Sequence, residues 1–282
     1  MEIIHTISAL KAVLKPFKEA VSKIALVPTM GALHNGHLSL IAIAKAKAEV
    51  VVCSIFVNPT QFTDPKDLEK YPRPLAHDIK MLTEAGCNMV FMPTVKEMYP
   101  TFPIPEDWHL DLGPAEFLLE GEFRKGHYQG VTQIVKKLFD VVEPDIAFFG
   151  QKDFQQVLMI KNMVKHFNLP IEIVSCPIIR EEDGLAMSSR NIHLSVNDRK
   201  NALVLSKALA FVADNYKKLK LRDLLAEAKQ MFTGINGVEL DYFTIAHGDT
   251  LLPIEDEEKS NVVALVAAKV GETRLIDNML LG

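Results

Sequence analysis

Apolar residues gather along this chain in short runs of strand length, separated by stretches with helical spacing. The first run is Lys23-Ile24-Ala25-Leu26-Val27, and residues 50–57, 88–92, 145–149 and 171–176 continue the series. An unbroken apolar run of this size predicts a strand buried on both faces. Between the runs, apolar positions recur every three to four residues. Ile7, Leu10, Val13, Leu14 and Phe17 mark a helix over residues 6–20. Val131, Ile134, Val135, Leu138 and Phe139 mark another over 131–142. Further helices are expected from His34 to about residue 48, over 75–86, and from Phe154 to about residue 167. Strands alternating with helices predict an α/β fold, a Rossmann-like doubly wound parallel sheet with right-handed crossovers.

The pattern changes after Pro177. Ser195 followed by Asp198 reads as a helix N-cap, and helices are expected over 196–216 and 221–233. Two strand candidates, 238–245 and 262–270, precede what reads as a short tail. This is a smaller C-terminal α+β domain, so the division predicted is 1–176 and 177–282. The Pro-rich residues 93–114, which hold the sole tryptophan, Trp108, read as a connecting excursion.

Composition narrows the functional classes. The chain has 282 residues, 48% hydrophobic and 24% charged, as in an ordinary globular protein. A net charge of −5 with no polybasic tract argues against nucleic acid as a partner. No apolar run approaches the roughly 20 residues of a membrane span, and no leader pattern is visible at the start, so a cytoplasmic protein is expected. Cys53, Cys87 and Cys176 lie far apart in apolar segments and read as buried small hydrophobes.

Candidate chemistry concentrates at strand ends. The turn Pro28-Thr29-Met30-Gly31-Ala32-Leu33 leads into His34-Asn35-Gly36-His37 at a helix start. Such a turn is expected to offer free backbone N–H groups and a positive dipole end to a phosphate. Asn58 and Gln61 follow the next strand, and Lys152 and Asp153 follow a later one. In open parallel sheets ligands bind at that carboxyl edge. Lys152, Arg190, Ser188 and Ser189 suit a polyphosphate, with His34 and His37 stabilising charge that develops on it. The chain has neither a Gly-x-x-x-x-Gly-Lys-Ser/Thr loop nor a Gly-x-Gly-x-x-Gly after its first strand, which disfavours P-loop and nicotinamide chemistry. Zinc at His34 and His37 is an alternative, but no third ligand is near in sequence.

His34-Asn35-Gly36-His37 and Met187-Ser188-Ser189-Arg190 are similar to the two phosphate-binding signatures of the nucleotidylyltransferase superfamily. More closely, the chain resembles the pantothenate synthetase (pantoate–β-alanine ligase) family. The resemblance rests on residues 27–37 and 54–62, on Tyr71-Pro72-Arg73, Leu119-Glu120-Gly121 and Gly126-His127-Tyr128-Gln129-Gly130-Val131. It continues through residues 149–156 and 183–191 to Arg274-Leu275-Ile276-Asp277-Asn278. It implies a cytoplasmic homodimer that joins pantoate to β-alanine using ATP and Mg2+, by way of a pantoyl adenylate. It also implies roles for single residues. Met30, Gly31, Ala32, Leu33, His34, Asn35, Gly36 and His37 would line the ATP site, with His37 the proton donor. Gly150, Gln151, Lys152, Asp153, Ile179, Met187, Ser188, Ser189 and Arg190 would contact the nucleotide. Gln61 and Gln156 would hold pantoate, Gln61 lying near β-alanine too. Asp78 would coordinate magnesium directly or through water, and the smaller domain would close over the site.

Two positions depart from the family pattern: Gln151 stands where Glu is common, and Lys125 where Pro is common. The alternatives are an adenylyltransferase for another small acid or phosphate acceptor, and a nucleotide-binding regulator without catalysis. Neutral Gln61 and Gln156 suit a hydroxy acid better than a phosphate.

Overall fold

Central strand β3 (Val50–Ile55) shows why the first sheet forms where it does: residues 50–54 are entirely or almost entirely buried, and three of them are valines. β-branched side chains pack well between neighbours on a pleated surface. The structure, a computed structural model, describes residues 1–255 and 260–281. Its contacts divide the chain into two units, Met1–Gly150 with Gln156–Pro177, and Gln151–Gln155 with Ile178–Gly282.

The first unit is a parallel sheet in the order β1-β4-β3-β2-β5-β6. In chain order its elements are β1 (Glu2–Ile4), α1 (Ile7–Glu19), β2 (Ile24–Thr29), α2 (Asn35–Lys45), β3, α3 (Pro65–Lys70), α4 (Leu75–Glu84), β4 (Met89–Phe91), α5 (Val95–Met98), α6 (Glu120–Phe123), α7 (His127–Val142), β5 (Ile146–Gly150), α8 (Phe154–His166) and β6 (Glu172–Cys176). Every strand pair is parallel. The chain builds outward from β2 through β3 and β4, then restarts at β5 on the other side of β2. The order therefore reverses between β2 and β5, the switch point at which such sheets leave a crevice. Leu26, Val27, Cys53, Val90, Ile146 and Phe148 fill the sheet's interior and are fully buried. The Pro-rich excursion is stitched to α7 by Gln129, whose amide accepts from the Leu110 N–H and donates to the Leu110 carbonyl (3.0 and 2.8 Å).

The second unit has an antiparallel sheet, β7 (Val238–His247), β8 (Val262–Val270) and β9 (Thr273–Leu281), with α9 (Val196–Asn215) and α10 (Leu221–Gln230) packed on it. The Ser195 hydroxyl accepts from the Asp198 N–H at 3.1 Å and so caps α9. The structure holds two strands beyond those expected. Residues 2–4 form a strand on the edge of the parallel sheet, too short to leave a periodic signal. The expected tail is strand β9, whose inward face carries Thr273 and Asp277 beside Leu275 and Leu281, while Asn278 is buried on the opposite face. Polar residues on a buried face hide the alternation that marks a half-buried strand.

Candidate active site

The turn between β2 and α2 is closed upon itself. The Gly31 N–H donates to the Thr29 hydroxyl (3.2 Å), and the N–H groups of Ala32 and Leu33 donate to the two carboxylate oxygens of Asp78 (2.9 and 2.8 Å). His34 caps α2, its Nδ1 accepting from the Gly36 N–H at 3.1 Å, while His37 Nδ1 accepts from the His34 N–H at 3.3 Å. The His37 N–H donates to the His34 carbonyl at 2.8 Å. The expected free N–H groups are thus taken by the protein itself. Asp78, at 1% exposure, supplies the negative charge that a bare helix start would otherwise attract.

The same contacts fix the histidine tautomers. A nitrogen that accepts a backbone N–H carries no proton, so both neutral rings hold theirs on Nε2. The rings lie 4.1 Å apart, centre to centre. Two donors from one turn suit charge developing on a phosphate oxygen. Gly31 (φ +83°) and Ala32 (φ 51°) both adopt left-handed backbone, which folds the turn back over Asp78. A Cβ at Gly31 would meet Asp78 Oδ2 and the Ile55 side chain at 3.0 Å.

Asp78 therefore has a structural task in holding this turn. Among the described residues, no group of three or more His, Cys, Asp or Glu stands ready to hold a metal. The carboxyl edge of the sheet opens into a cavity of about 970 Å³, lined by Met30, Gly31, Val57, Arg73, Asp78 and Met92 among others. His34, His37 and Gln61 are not on its walls.

The turn after β3 is held by Asn58, which is 1% exposed. Asn58 donates to the Gly130 carbonyl (3.0 Å) and to Gln61 Oε1 (3.2 Å). It accepts from the Tyr99 hydroxyl (2.9 Å) and the Thr60 hydroxyl (3.2 Å). Gln61 is buried, its carbonyl 2.8 Å from His127 Nδ1 and its Nε2 3.0 Å from Met30 Sδ. Burial pushes the Tyr99 hydroxyl up to about 12, so it remains a donor through neutral pH. Gln156 lies half-buried in the first turn of α8.

In the second unit, Gln151, Lys152 and Asp153 form a short 3₁₀ turn. Asn278 of β9 donates to the carbonyls of both Gln151 and Lys152 (2.9 Å each) and accepts from Gln151 Nε2 (3.1 Å). A glutamate at 151 has no such donor to give. Arg180 and Asp277 form a two-pronged ion pair (2.6 and 3.0 Å) in which Asp277 is buried. The Met187 N–H donates to the Ile179 carbonyl at 3.0 Å, bringing those two expected nucleotide contacts together. Ser188 caps the 3₁₀ turn that carries Ser189 and Arg190, its hydroxyl accepting from the Arg190 N–H at 3.3 Å. Asn278, Tyr99 and the helix-capping work of the histidines escaped the sequence reading. Only the sequence block ending at Asn278 drew attention to the first of them.

The family model for pantoate-beta-alanine ligase matches residues 2–280. The chain belongs to the pantoate–β-alanine ligase family. Pantothenate synthetase from Acetivibrio thermocellus is 47% identical over 285 aligned residues, covering 99% of each chain. The Bacteroides fragilis pantothenate synthetase is 45% identical, covering 99% of this chain and 98% of its own. Among solved structures, pantothenate synthetase from Thermus thermophilus superposes with a TM-score of 0.92 at 40% identity, over 99% of both chains. The Francisella tularensis pantoate–β-alanine ligase, solved with Beta-gamma ATP and β-alanine, gives a TM-score of 0.79 at 35% identity over 99% of this chain and 97% of that one. The parallel sheet and smaller α+β unit are those of this ligase family. No helix among the described residues is long and apolar enough to cross a membrane.

Proposed function

We propose that this chain joins (R)-pantoate to β-alanine in an ATP-dependent reaction that releases AMP and pyrophosphate. The observation that carries the reading is the match to the ligase family over residues 2–280, with His34 and His37 joined in a reciprocal cap at the start of α2. A pantoate carboxylate oxygen attacks the α-phosphorus of ATP, the bond to the β-phosphate breaks, and pyrophosphate leaves. The amine of β-alanine then attacks the acyl carbon, AMP departs, and the amine proton passes to solvent. No protein nucleophile is needed, because the carboxylate is already one. The chain's part is positioning and charge stabilisation.

His34, His37, Lys152 and Arg190 carry the charge that develops on the phosphates, with Ser188 and Ser189 donating hydrogen bonds. The remaining residues of 30–37, with Gly150, Gln151, Asp153, Ile179 and Met187, contact the nucleotide. Gln61 and Gln156 hold pantoate. Magnesium would accompany the triphosphate, and Asp78, whose oxygens each keep a lone pair beyond the backbone N–H they accept, would hold it directly or through water. The family match favours this ligase over an adenylyltransferase for phosphate acceptors. We propose too that the enzyme is a cytoplasmic homodimer, the commonest assembly, which sedimentation of the purified protein checks.

The deciding experiment is pantoate-dependent exchange between pyrophosphate and ATP without β-alanine, followed by AMP release once β-alanine is added. Exchange that ignores pantoate would overturn the assignment.

A further inference from the structure

A backbone carbonyl is an acceptor and nothing else, so it dictates which end of an amide faces it. The Gly130 carbonyl lies 3.0 Å from the Asn58 amide, and the atom facing it must be Nδ2. Oδ1 is then left for Tyr99 and Thr60, both of which have a hydroxyl proton to give it. The same Nδ2 sits 3.2 Å from the Gln61 amide, and there too the facing atom must be an acceptor, Oε1. Gln61 is thereby left with its NH2 turned the other way, toward Met30 Sδ at 3.0 Å.

We infer that the Gly130 carbonyl, acting through Asn58, fixes Gln61 as a hydrogen-bond donor and so makes Gln61 the group that selects a substrate offering an oxygen acceptor. This deepens the proposed function and rests on its assignment of Gln61 to pantoate. A thioether is a weak acceptor. Among the described residues it is the partner of an NH2 on a side chain only 7% exposed. A buried donor so poorly matched gains most from a carboxylate or hydroxyl oxygen. An analogue presenting an amide NH2 at that point would set donor against donor, which sites of this kind reject strongly.

The geometry behind the relay is built in. A Cβ at Gly130 would come within 2.3 Å of the Thr60 carbonyl, so glycine lets α7 approach the turn closely enough for its carbonyl to reach Asn58. The Gln61 backbone is held separately by His127. Asn58 and Tyr99 are positioning residues here, since they act on substrate through Gln61.

The test uses the full-length enzyme. In the substrate-free protein, the Gln61 side-chain amide protons should show a nuclear Overhauser effect to the Met30 ε-methyl group; its absence overturns the proposal. In Asn58→Asp, a carboxylate oxygen faces Gln61, whose amide turns to donate to it and offers Oε1 to the substrate. The KM for pantoate should rise at least about tenfold while that for ATP stays within about twofold. Tyr99→Phe, a milder change should N58D fail to fold, should raise the pantoate KM about threefold with the ATP value unchanged. Equal shifts in both KM values would mean a merely structural role and overturn the proposal. Absence of pantoate-dependent exchange in the unaltered enzyme would instead remove the function reading, and the proton contact to Met30 would still decide the polarity of Gln61.

Discussion

Asp78 Oδ1 accepts the Leu33 N–H at 2.8 Å across 45 positions of sequence, and its second oxygen takes the neighbouring Ala32 N–H. One buried carboxylate thus shapes the turn that presents His34. Asp78→Ala leaves two buried donors without acceptors, at a cost of about 2–5 kcal/mol. We expect a lower thermal midpoint and a fall in pantoate-dependent exchange. Calorimetry and the exchange assay measure the two effects separately, and an unchanged midpoint would refute the structural task given to Asp78.

His37→Ala and Lys152→Ala should each slow adenylation at least about tenfold, roughly 1.4 kcal/mol at the transition state. Stability should respond differently. His37 accepts the His34 N–H, so its loss also frays the start of α2. Single-turnover formation of the adenylate, read beside circular dichroism, separates these effects. Exchange at the unaltered rate in a folded variant would count against the role assigned.

Asn278→Ala removes the donor that holds the Gln151 and Lys152 carbonyls. The KM for ATP should rise about tenfold, with a smaller change for pantoate. Steady-state kinetics with each substrate varied in turn gives the ratio, and a larger effect on pantoate than on ATP would contradict it.

Gly130→Ala forces a Cβ against the Thr60 carbonyl, a backbone atom with little room to yield. Overpacking of this kind costs about 1–3 kcal/mol. Urea unfolding should show the loss, and the pantoate KM should rise because the clash falls on the turn carrying Gln61.

Alkaline pH should weaken the fold. Burial raises the Cys87 and Cys176 thiols from about 9 to about 11 and the Tyr99 hydroxyl from about 10 to about 12. Each folded-state value lies above the unfolded one, so the folded chain still holds protons that the unfolded chain has released. The stabilisation is complete below pH 9 for the thiols and below pH 10 for Tyr99. It is lost as pH rises through about 11 and about 12. Urea midpoints measured from neutrality to about pH 11 should be level at first and then fall. Tyr99→Phe should show a shallower decline above about pH 10, and an identical slope would exclude the Tyr99 contribution.

The parallel sheet was legible because burial on both faces writes itself into sequence as unbroken runs such as Val50-Val51-Val52-Cys53. Strand β9 was not, because Asp277 occupies an inward position where the alternation calls for an apolar residue, and Asn278 is buried on the other face, where a polar residue would signal solvent. The two histidines were visible as chemistry, and their spacing of three is also that of a capping box, a pattern normally read from Ser or Thr followed by Glu. Nothing local could reveal that Asp78 fills the turn before any phosphate arrives, since the partners lie 46 and 45 residues apart.

The hold of Asn278 on Lys152 spans 126 residues and joins a turn at mid-chain to the final strand. During synthesis every strand of the parallel sheet leaves the ribosome well before residue 278 does. A nascent chain that has folded its first sheet therefore still lacks the support beneath Lys152. Catalytic competence should appear late and abruptly, with the last strand, and ribosome-bound chains stopped short of β9 should be folded in part yet inert toward ATP.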